Sequence, residues 1–267
     1  MSVPSVVLVT GASGGIGQAC AGYLASKGFR VYGTSRRAPE TPSAGGSFVM
    51  IRMDVTDSRS VADGIRLVHQ REGRIDAVVN NAGALVVGPI EEIPIGEVEK
   101  NVQTNCLGAM RVCQAVIPVM RAQGGGKIIN VSSVGGAIGL PFEGVYSAGK
   151  FALEGMSEAL RIEVRHFGIS VSLIQPGDVR TQDCRSEFPH SHTYDPWFSN
   201  AVKQYVADEE KGYPPERMGP LVERILLSAN PKFRYSFGGT FQSMVPFMKR
   251  LLPQRFVQWA FCQIYKT

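Results

Sequence analysis

Tyr146 and Lys150 carry a phenol and an ammonium four residues apart, a spacing that brings both side chains to one face of a helix. A free tyrosine has a pKa of about 10, which is too high for ready proton exchange at neutral pH. An ammonium about 4–6 Å away favours the tyrosinate and lowers that pKa. The pair could therefore exchange a proton with the oxygen of a carbonyl or alcohol during hydride transfer.

Three further polar segments follow predicted strands. Ser132 and Ser133 come directly after one strand, residues 80–83 end another, and residues 176–181 end a third. The carboxyl edge of a parallel sheet is where such folds hold their ligands, and a serine hydroxyl there could stabilise charge developing on a carbonyl oxygen. Each residue also has a structural alternative, since a serine can cap a turn and a tyrosine can fill a core.

A glycine-rich loop, TGASGGIG at residues 10–17, follows the first predicted strand and opens the first predicted helix. Glycines in such a loop let the backbone approach a pyrophosphate, while the helix N-terminus supplies free N–H groups and the positive end of its dipole. A plain strand-to-helix turn also uses glycine, so the strand–loop–helix context carries the interpretation. The loop predicts a dinucleotide-binding site.

The end of the second predicted strand indicates which dinucleotide binds. An NAD site places an acidic residue there to bond the ribose 2′-hydroxyl, whereas this chain has Ser35, Arg36 and Arg37 and no acid before Glu40. Two guanidinium groups can bind a 2′-phosphate through charge-assisted bonds. A solvated basic turn is the alternative, and we favour NADP(H).

Short β-branched segments alternate with helix-like segments along most of the chain. This alternation, with strands apolar on both faces, is typical of a parallel sheet covered by helices. We predict an α/β protein with a doubly wound Rossmann fold, in which helices flank a seven-stranded parallel sheet, as one domain over residues 1–267. Strands are predicted at 6–9, 30–34, 48–53, 76–80, 127–131, 169–174 and 233–237, and helices at 15–27, 58–71, 97–123, 146–167 and 215–229.

With these motifs in this order, the sequence resembles the short-chain dehydrogenase/reductase family in its single-domain form over about residues 5–182. The resemblance implies a catalytic set of Asn105, Ser133, Tyr146 and Lys150, with Tyr146 as general acid and base and Asn105 holding a water in a proton path. Gly149 is a local departure, because the family often has serine there.

The resemblance also implies which residues bind NADP(H). They follow the glycine loop, the strand ends and the catalytic helix: Gly11, Ser13, Gly15, Ile16, Gly17, Ser35, Arg36, Arg37, Asp54, Val55, Asn81, Ala82, Gly83, Tyr146, Lys150, Pro176, Gly177, Val179 and Thr181. No metal site is predicted, since the four histidines lack ligand spacing with carboxylates or cysteines, and the His190/His192 pair is interpreted as surface or substrate-facing.

Substrate choice is expected in residues 84–94 and 135–144 and in a long aromatic segment, 182–214, interpreted as a lid. A mostly apolar wall there suits a lipophilic ketone or alcohol of steroid, retinoid or acyl type. The lid aromatics could instead pack the lid onto the domain. The candidate wall residues are Leu85, Val86, Val87, Ile138, Leu140, Phe142, Phe188, Tyr194, Trp197 and Phe198.

A basic, aromatic tail, residues 238–267, follows the last predicted strand. After Glu223 the chain has seven lysines and arginines and no acid. Such a segment with tryptophan is typical of peripheral membrane contact, while packing over the substrate pocket or a subunit contact are alternatives. We expect the two prolines, Pro246 and Pro253, to cut the tail into short pieces.

Composition limits the remaining possibilities. The net charge of +5 is concentrated in the tail rather than on a nucleic-acid-binding face, so no nucleic-acid partner is expected. The five cysteines lack Cys-x-x-Cys spacing, and no secretory or membrane-spanning segment is recognised. These features predict a cytoplasmic protein, with membrane association through the tail as an open alternative. The resemblance suggests a homodimer or homotetramer. Competing functions are a non-catalytic dinucleotide sensor or scaffold, and an epimerase or dehydratase.

Overall fold

Seven parallel strands form the main sheet of the computed structural model, which describes residues 5–39, 41–43, 46–181, 185–188 and 191–266. The strand order is β3-β2-β1-β4-β6-β7-β9, and each strand lies within two residues of its predicted bounds. The predicted doubly wound fold is confirmed. The strands are β1 Val6–Thr10, β2 Arg30–Ser35, β3 Val49–Arg52, β4 Ala77–Asn80, β6 Gly126–Val131, β7 Ile169–Pro176 and β9 Arg234–Phe237, and a separate parallel pair is β5 Leu85–Val87 with β8 Arg185–Glu187.

Helices cover both faces of this sheet because its strands are apolar on both sides. In β1, Val6 and Leu8 belong to one buried cluster and Val7 and Val9 to the other, as the alternation of side chains along a strand requires. The helices are α1 Gly15–Ser26, α2 Ser58–Glu72, α3 Ile95–Val102, α4 Gly108–Ala122, α5 Gly144–Val164, α6 Trp197–Glu210, α7 Met218–Leu227, α8 Thr240–Leu251 and α9 Gln254–Tyr265. Side chains of α2 and α4 join the first cluster, and those of α1 and α7 the second.

The chain leaves β1 toward β2 and β3 on one side and returns to β4 on the other. At such a reversal of strand order the connecting loops diverge and leave a crevice at the carboxyl ends of the strands. The glycine loop and the segments after β2, β3, β4, β6 and β7 all lie along this edge.

The helix predicted at 97–123 consists of three pieces. Between α3 and α4, residues Gln103–Leu107 form a π-helical turn. A π turn inserts a residue into the helical repeat and is common at functional sites, but hydrophobic periodicity does not reveal it.

The lid and tail segments contain more regular structure than expected. β8 and α6 lie within residues 182–214, and the tail forms α8 and α9. The prolines break it only once: α8 runs through Pro246, and Pro253 precedes α9. Among the helices of the described residues, none is long and apolar enough to cross a membrane.

Candidate active site

Polar contacts fasten the glycine loop to the end of β4. The Asn81 side chain donates from Nδ2 to the carbonyl oxygens of Thr10, at 3.0 Å, and Gly11, at 3.3 Å. The Thr10 hydroxyl accepts from the backbone N–H groups of Asn81 and Ala82, both at 2.9 Å. These contacts hold the loop and residues 81–83 together at the crevice.

Gly11 and Gly17 occupy places that no larger residue fits. Gly11 has φ +67°, and a Cβ atom there would lie 2.9 Å from the Cα of Ala82. A Cβ atom on Gly17 would lie 2.5 Å from Nδ2 of Asn81. Glycine is therefore required for the close approach of the loop to β4, before any ligand is considered.

The outer side of the glycine loop faces a cavity of about 1440 Å³. Ser13, Gly15 and Ile16 line it, and α1 begins at Gly15 with no side-chain cap on its N-terminus. The N–H groups of the first helical turn therefore point to where an anion would bind. Ligand pockets usually measure about 300–1000 Å³, so this cavity has room for a dinucleotide beside a second molecule.

The ends of β2 and β3 form the wall of the cavity at its predicted adenosine end. Arg36 and Arg37 are exposed there, and the Arg37 backbone N–H donates to Oγ of Ser35 at 3.2 Å. Asp54 and Val55 line the cavity beside them, and Oδ1 of Asp54 accepts from the backbone N–H and hydroxyl of Thr56, at 2.9 and 2.8 Å. Two guanidinium groups thus flank the predicted adenosine end, and their charges suit a phosphate.

Tyr146 and Lys150 lie on the first two turns of α5, facing the middle of the cavity. Lys150 is 4% exposed, and its Nζ donates to the carbonyl oxygen of Val131 at 2.9 Å. The same Nζ lies 5.7 Å from the centre of the Tyr146 ring. The end of β6 thus holds the ammonium beside the phenol, as the four-residue spacing predicts.

Ser133 lies next to Tyr146, and it also caps a turn. Its Oγ accepts from the backbone N–H of Gly135 at 3.0 Å, at the start of a short 3-10 turn. A Cβ atom on Gly135 would lie 3.3 Å from Cε1 of Tyr146 and 3.5 Å from Oγ of Ser133, so both side chains flank this glycine. The capping alternative and the catalytic one are therefore compatible.

Asn105 lies in the π-helical turn, 1% exposed and behind the cavity wall. Its Oδ1 accepts from the Ala84 backbone N–H at 3.0 Å, and its Nδ2 donates to the Ala84 carbonyl at 2.7 Å. Asn101, which sequence reasoning missed, accepts from Nδ2 of Asn105 at 3.0 Å and donates to the same carbonyl. Two asparagines, one helical turn apart, therefore fasten the α3–α4 region to the segment after β4.

This asparagine pair gives a steric reason for Gly149. A Cβ atom there would lie 3.0 Å from Oδ1 of Asn101 and 3.3 Å from Cβ of Asn105. The glycine therefore leaves room for the Asn101 amide. The only sequence feature that pointed to Asn101 was its position four residues before Asn105. The role of Asn101 depends on the packing of α3 against α5, which the local sequence does not show.

Residues 176–181 complete the central wall of the cavity, with Pro176, Gly177, Val179 and Thr181 all lining it. Gln242 on α8 braces this segment: its Oε1 accepts from the backbone N–H of Asp178 at 3.0 Å, and its Nε2 donates to the Asp178 carboxylate. Sequence reasoning missed Gln242. It also left open whether the tail reaches the pocket, and α8 and α9 do contribute to its wall.

The structure brings nearly all predicted site residues to one cavity. Gly17 and Asn105 are the exceptions, since both are buried behind its lining. At the end away from the glycine loop, the wall combines apolar and aromatic side chains with acidic and amide ones, and it includes residues that the sequence did not single out. Among its residues are Leu85, Val86, Leu140, Glu143, Gln204, Tyr205, Asp208, Glu209, Phe261, Ile264 and Tyr265.

Burial sets the ionisation of the two tyrosines at this end. Desolvation raises the pKa of Tyr205 and of Tyr265, and the negative charge of Glu143 raises both further. Tyr205 donates to the Pro141 carbonyl at 2.8 Å, and its ring lies 4.8 Å from that of Tyr265. Both phenols therefore stay neutral, and they link α6 and α9 to the loop before α5.

Most lid aromatics pack against protein rather than line the cavity. The Phe142 ring makes edge contacts with Phe198 at 5.2 Å and Tyr194 at 6.1 Å, while Trp197 is 48% exposed. The packing alternative therefore holds for Tyr194 and Phe198 and not for Trp197. Leu85, Val86 and Leu140 are the predicted wall residues that line the cavity. His190 lies outside the described residues, and within them no cluster of three potential metal ligands occurs.

A family model described as short chain dehydrogenase matches residues 5–191. The chain belongs to the short-chain dehydrogenase/reductase family. The family's oxidoreductase chemistry fits the tyrosine, lysine and serine around one cavity, and the resemblance drawn from the sequence motifs is confirmed.

Two curated members of the short-chain dehydrogenase/reductase family are similar over most of the chain. A 3-ketodihydrosphingosine reductase from Bacteroides thetaiotaomicron is 40% identical over 262 residues, covering 96% of both chains. The human 17-beta-hydroxysteroid dehydrogenase type 1 is 34% identical over 255 residues, covering 86% of this chain and 76% of that protein.

Solved structures of the family agree with the fold. A short-chain dehydrogenase from Streptomyces avermitilis superposes with a TM-score of 0.85 at 30% identity, covering 100% of this chain and 97% of that one. A metagenomic short-chain oxidoreductase whose structure contains NADP is also similar, with a TM-score of 0.67 at 26% identity, covering 87% of this chain and 95% of that one.

Proposed function

We propose that the protein is an NADP(H)-dependent oxidoreductase that interconverts a ketone and a secondary alcohol on a lipophilic substrate. The observation that carries this proposal is the meeting of Tyr146, Lys150 and Ser133 at the middle of one cavity. One end of that cavity carries two arginines, and the other carries apolar and aromatic side chains such as Leu140, Phe261 and Ile264. A dinucleotide and a lipophilic ketone would meet at Tyr146.

The reduced nicotinamide supplies a hydride to the carbonyl carbon when it is bound. Tyr146 then donates its phenolic proton to the carbonyl oxygen, and the reverse reaction returns that proton to a tyrosinate. Lys150, held by the Val131 carbonyl, stabilises the tyrosinate through its charge. Ser133 donates a hydrogen bond to the oxygen as negative charge builds on it.

Asn105 acts at one remove from the reacting atoms. The oxygen and the nitrogen of its side-chain amide both form hydrogen bonds with the Ala84 backbone. A water in the proton path would therefore be bound by the backbone of Asn105. A π-helical turn favours this, because it breaks the regular pairing of helical carbonyl groups. We propose that Asn105 positions both this turn and the segment after β4, which packs near Lys150.

The nucleotide side is proposed to hold NADP(H) from the adenine end to the nicotinamide. Arg36 and Arg37, beside Ser35, would bind the 2′-phosphate, and Asp54 and Val55 would contact the adenine. Residues 11–17 would receive the pyrophosphate, residues 81–83 the adenosine ribose, Lys150 the nicotinamide ribose, and residues 176–181 the nicotinamide. The absence of an acid at positions 35–37 supports the choice of NADP(H) over NAD(H).

The far end of the cavity supports a lipophilic substrate. Leu140, Phe261 and Ile264 offer apolar surface within it, and polar groups beside them could fix the orientation of a substrate. The two relatives described above are named for a long-chain ketone and a steroid, and both compounds fit this chemistry. We propose that the lid and tail belong to one working unit with the Rossmann core, because both close this end of the cavity.

The outward face of α8 and α9 is proposed to contact a lipid surface. Leu251, Phe256 and Trp259 are 67%, 47% and 58% exposed, and Arg255 is exposed among them. Exposed apolar and basic residues on a helical segment suit anionic lipid headgroups. For the assembly and location of the protein, we propose a cytoplasmic homodimer or homotetramer that binds membrane surfaces through this face.

The reaction is tested by following NADPH and NADH oxidation with lipophilic and small polar ketones, with Tyr146→Phe alongside. We expect NADPH-selective turnover that falls about 100- to 10,000-fold in the variant, while NADPH binding by fluorescence is unchanged. Retained turnover in Tyr146→Phe would contradict the mechanism. Tight NADPH binding without turnover on any ketone would favour a dinucleotide sensor.

A further inference from the structure

Helix α8 is hydrogen-bonded to two of the segments that form the middle of the cavity. Gln242, on its first turn, contacts Asp178 in the 176–181 segment, and Lys249, two turns later, contacts Ala137. Ala137 ends a short turn that begins at Ser133, and residues 133–137 are called the Ser133 turn below. Residues seven apart lie on the same face of a helix, about 10 Å apart along its axis. One face of α8 therefore spans both segments.

The side-chain amide of Gln242 uses both of its polar atoms on Asp178. Its Oε1 accepts from the Asp178 backbone N–H at 3.0 Å, and its Nε2 donates to the Asp178 carboxylate. A Cβ atom on Gly177 would overlap Oε1 of Gln242, so glycine at this position leaves the space in which the amide packs. Gln242 is thus fitted to the backbone of the segment that is proposed to hold the nicotinamide.

Backbone contacts hold the same segment from two other sides. The Gly177 N–H donates to the Phe237 carbonyl at 2.8 Å, just before α8 begins, and the Asp178 carbonyl accepts from the Tyr213 N–H of the lid at 2.9 Å. Backbone groups of this kind are present whatever the side chain. The contact of Gln242, in contrast, depends on residue type, so a substitution can remove it.

Lys249 holds the other segment at its end. Its Nζ donates to the Ala137 carbonyl at 2.7 Å and lies 4.9 Å from the centre of the Phe151 ring on α5. The Ala137 N–H donates to the Val134 carbonyl at 2.9 Å and closes the turn that Ser133 caps. Lys249 therefore attaches α8 to the turn that carries the serine proposed to bind the carbonyl oxygen.

We propose that Gln242 and Lys249 are positioning residues, through which α8 fixes the 176–181 segment relative to the Ser133 turn. Hydride transfer requires reacting atoms about 3–3.5 Å apart, and a misplacement of about 1 Å can lower its rate about 100-fold. This inference rests on the proposed function, in which one segment holds the nicotinamide and the other holds the ketone oxygen. The tail thereby contributes to the rate of the reaction, in addition to closing the cavity.

The test measures hydride transfer in a single turnover, by mixing the NADPH complex with saturating methyl nonyl ketone. Gln242→Glu keeps an acceptor for the backbone N–H, loses the donor, and places a second carboxylate beside that of Asp178. We expect the rate constant of hydride transfer to fall about 10- to 100-fold, while the Kd of NADPH changes less than about threefold. Deuterium at the transferred position of NADPH should give a larger isotope effect on kcat in the variant, because hydride transfer then limits turnover.

A rescue variant separates positioning from a general loss of structure. Adding Asp178→Asn to Gln242→Glu exchanges donor and acceptor, because the new amide can donate to the new carboxylate and the backbone N–H at position 178 keeps its acceptor. The double variant should therefore recover the rate at least about threefold over Gln242→Glu, and Asp178→Asn alone completes the cycle. Gln70→Glu changes an exposed glutamine of α2 and should leave the rate unchanged. Melting temperatures report whether each variant is folded.

The second contact is tested in the same assay. Lys249→Met removes the bond to the Ala137 carbonyl and keeps an apolar stem of similar length, so the rate of hydride transfer should fall about fivefold. Lys249→Arg retains a donor and should keep most of the wild-type rate. Lys203→Met, at an exposed lysine of α6, is the matched control and should have no effect.

The possible failures are distinguishable. A Gln242→Glu rate close to the wild-type value, a loss that Asp178→Asn does not reduce, or a loss that higher NADPH concentrations remove would overturn the role of Gln242, while wild-type turnover upholds the proposed function. A wild-type rate in Lys249→Met would overturn the role of Lys249 in the same way. A wild-type protein that reduces neither methyl nonyl ketone nor cyclohexanone with NADPH would overturn the proposed function, and the present inference with it.

Discussion

The proposed nucleotide side of the cavity, formed by the glycine loop and the ends of β2 to β4, and its proposed substrate side, closed by α6 and α9, are built differently. On the nucleotide side, backbone and small side chains are held at short range, as where Asn81 donates to the Thr10 and Gly11 carbonyls and Gly17 leaves no space for a Cβ atom. On the substrate side, whole helices are held by aromatic contacts such as Tyr205 against Tyr265, at 4.8 Å between ring centres.

This difference indicates which parts of the sequence would determine cofactor binding and which would determine substrate binding. A cofactor shared by many enzymes needs a backbone of fixed shape, which depends on a few obligatory residues in fixed order. A substrate pocket needs only apolar surface of suitable shape with a few polar groups, and many sequences provide that.

Among these predictions, the largest change is expected in nucleotide affinity, on the proposed nucleotide side. Replacing both Arg36 and Arg37 by alanine should weaken NADPH binding about 100-fold, since each charge-assisted bond contributes about 1.5–3 kcal/mol. NADH binding should change little, because NADH has no 2′-phosphate. Titration calorimetry with both nucleotides measures the ratio, and equal losses would reject the phosphate assignment.

An intermediate effect, on the free energy of unfolding, is expected where α3 packs against α5 at Gly149. Gly149→Ser should destabilise the fold by about 1–3 kcal/mol, because its Cβ atom would press on the Asn101 amide. In Asn101→Ala that amide is absent, so the same serine should cost at least about 0.5 kcal/mol less. Urea unfolding of the four proteins of this cycle gives the coupling, and strictly additive losses would contradict the contact.

The smallest effect on catalysis is expected at the outer surface of the tail. Phe256→Ser with Trp259→Ser should reduce sedimentation with anionic vesicles and leave turnover of a water-soluble ketone unchanged, because both side chains are exposed and neither lines the cavity. Ile162→Ser with Leu227→Ser, which changes exposed apolar residues elsewhere, is the matched control. Undiminished vesicle binding by the tail variant would reject the membrane contact.

The sequence itself determined the sheet and the order of its functional segments. Strands such as β1 and β6 are apolar on both faces, and glycine-rich or polar turns end them, so local pattern and chain order suffice to predict a parallel sheet with its ligands at the carboxyl edge. Tyr146 and Lys150 were found for a similar reason, since helical spacing alone puts them together and the end of β6 only completes their contact.

Only the tertiary structure decided the rest, because the relevant contacts join residues far apart in the chain. Asn101 matters through its contacts with Ala84 and Asn105, and Gln242 matters through Asp178, 64 residues earlier. Packing places a side chain inside or outside a cavity, and no periodicity in the local sequence records that. The helices of the lid and tail belong to this group, since the surface they cover is formed by the rest of the fold.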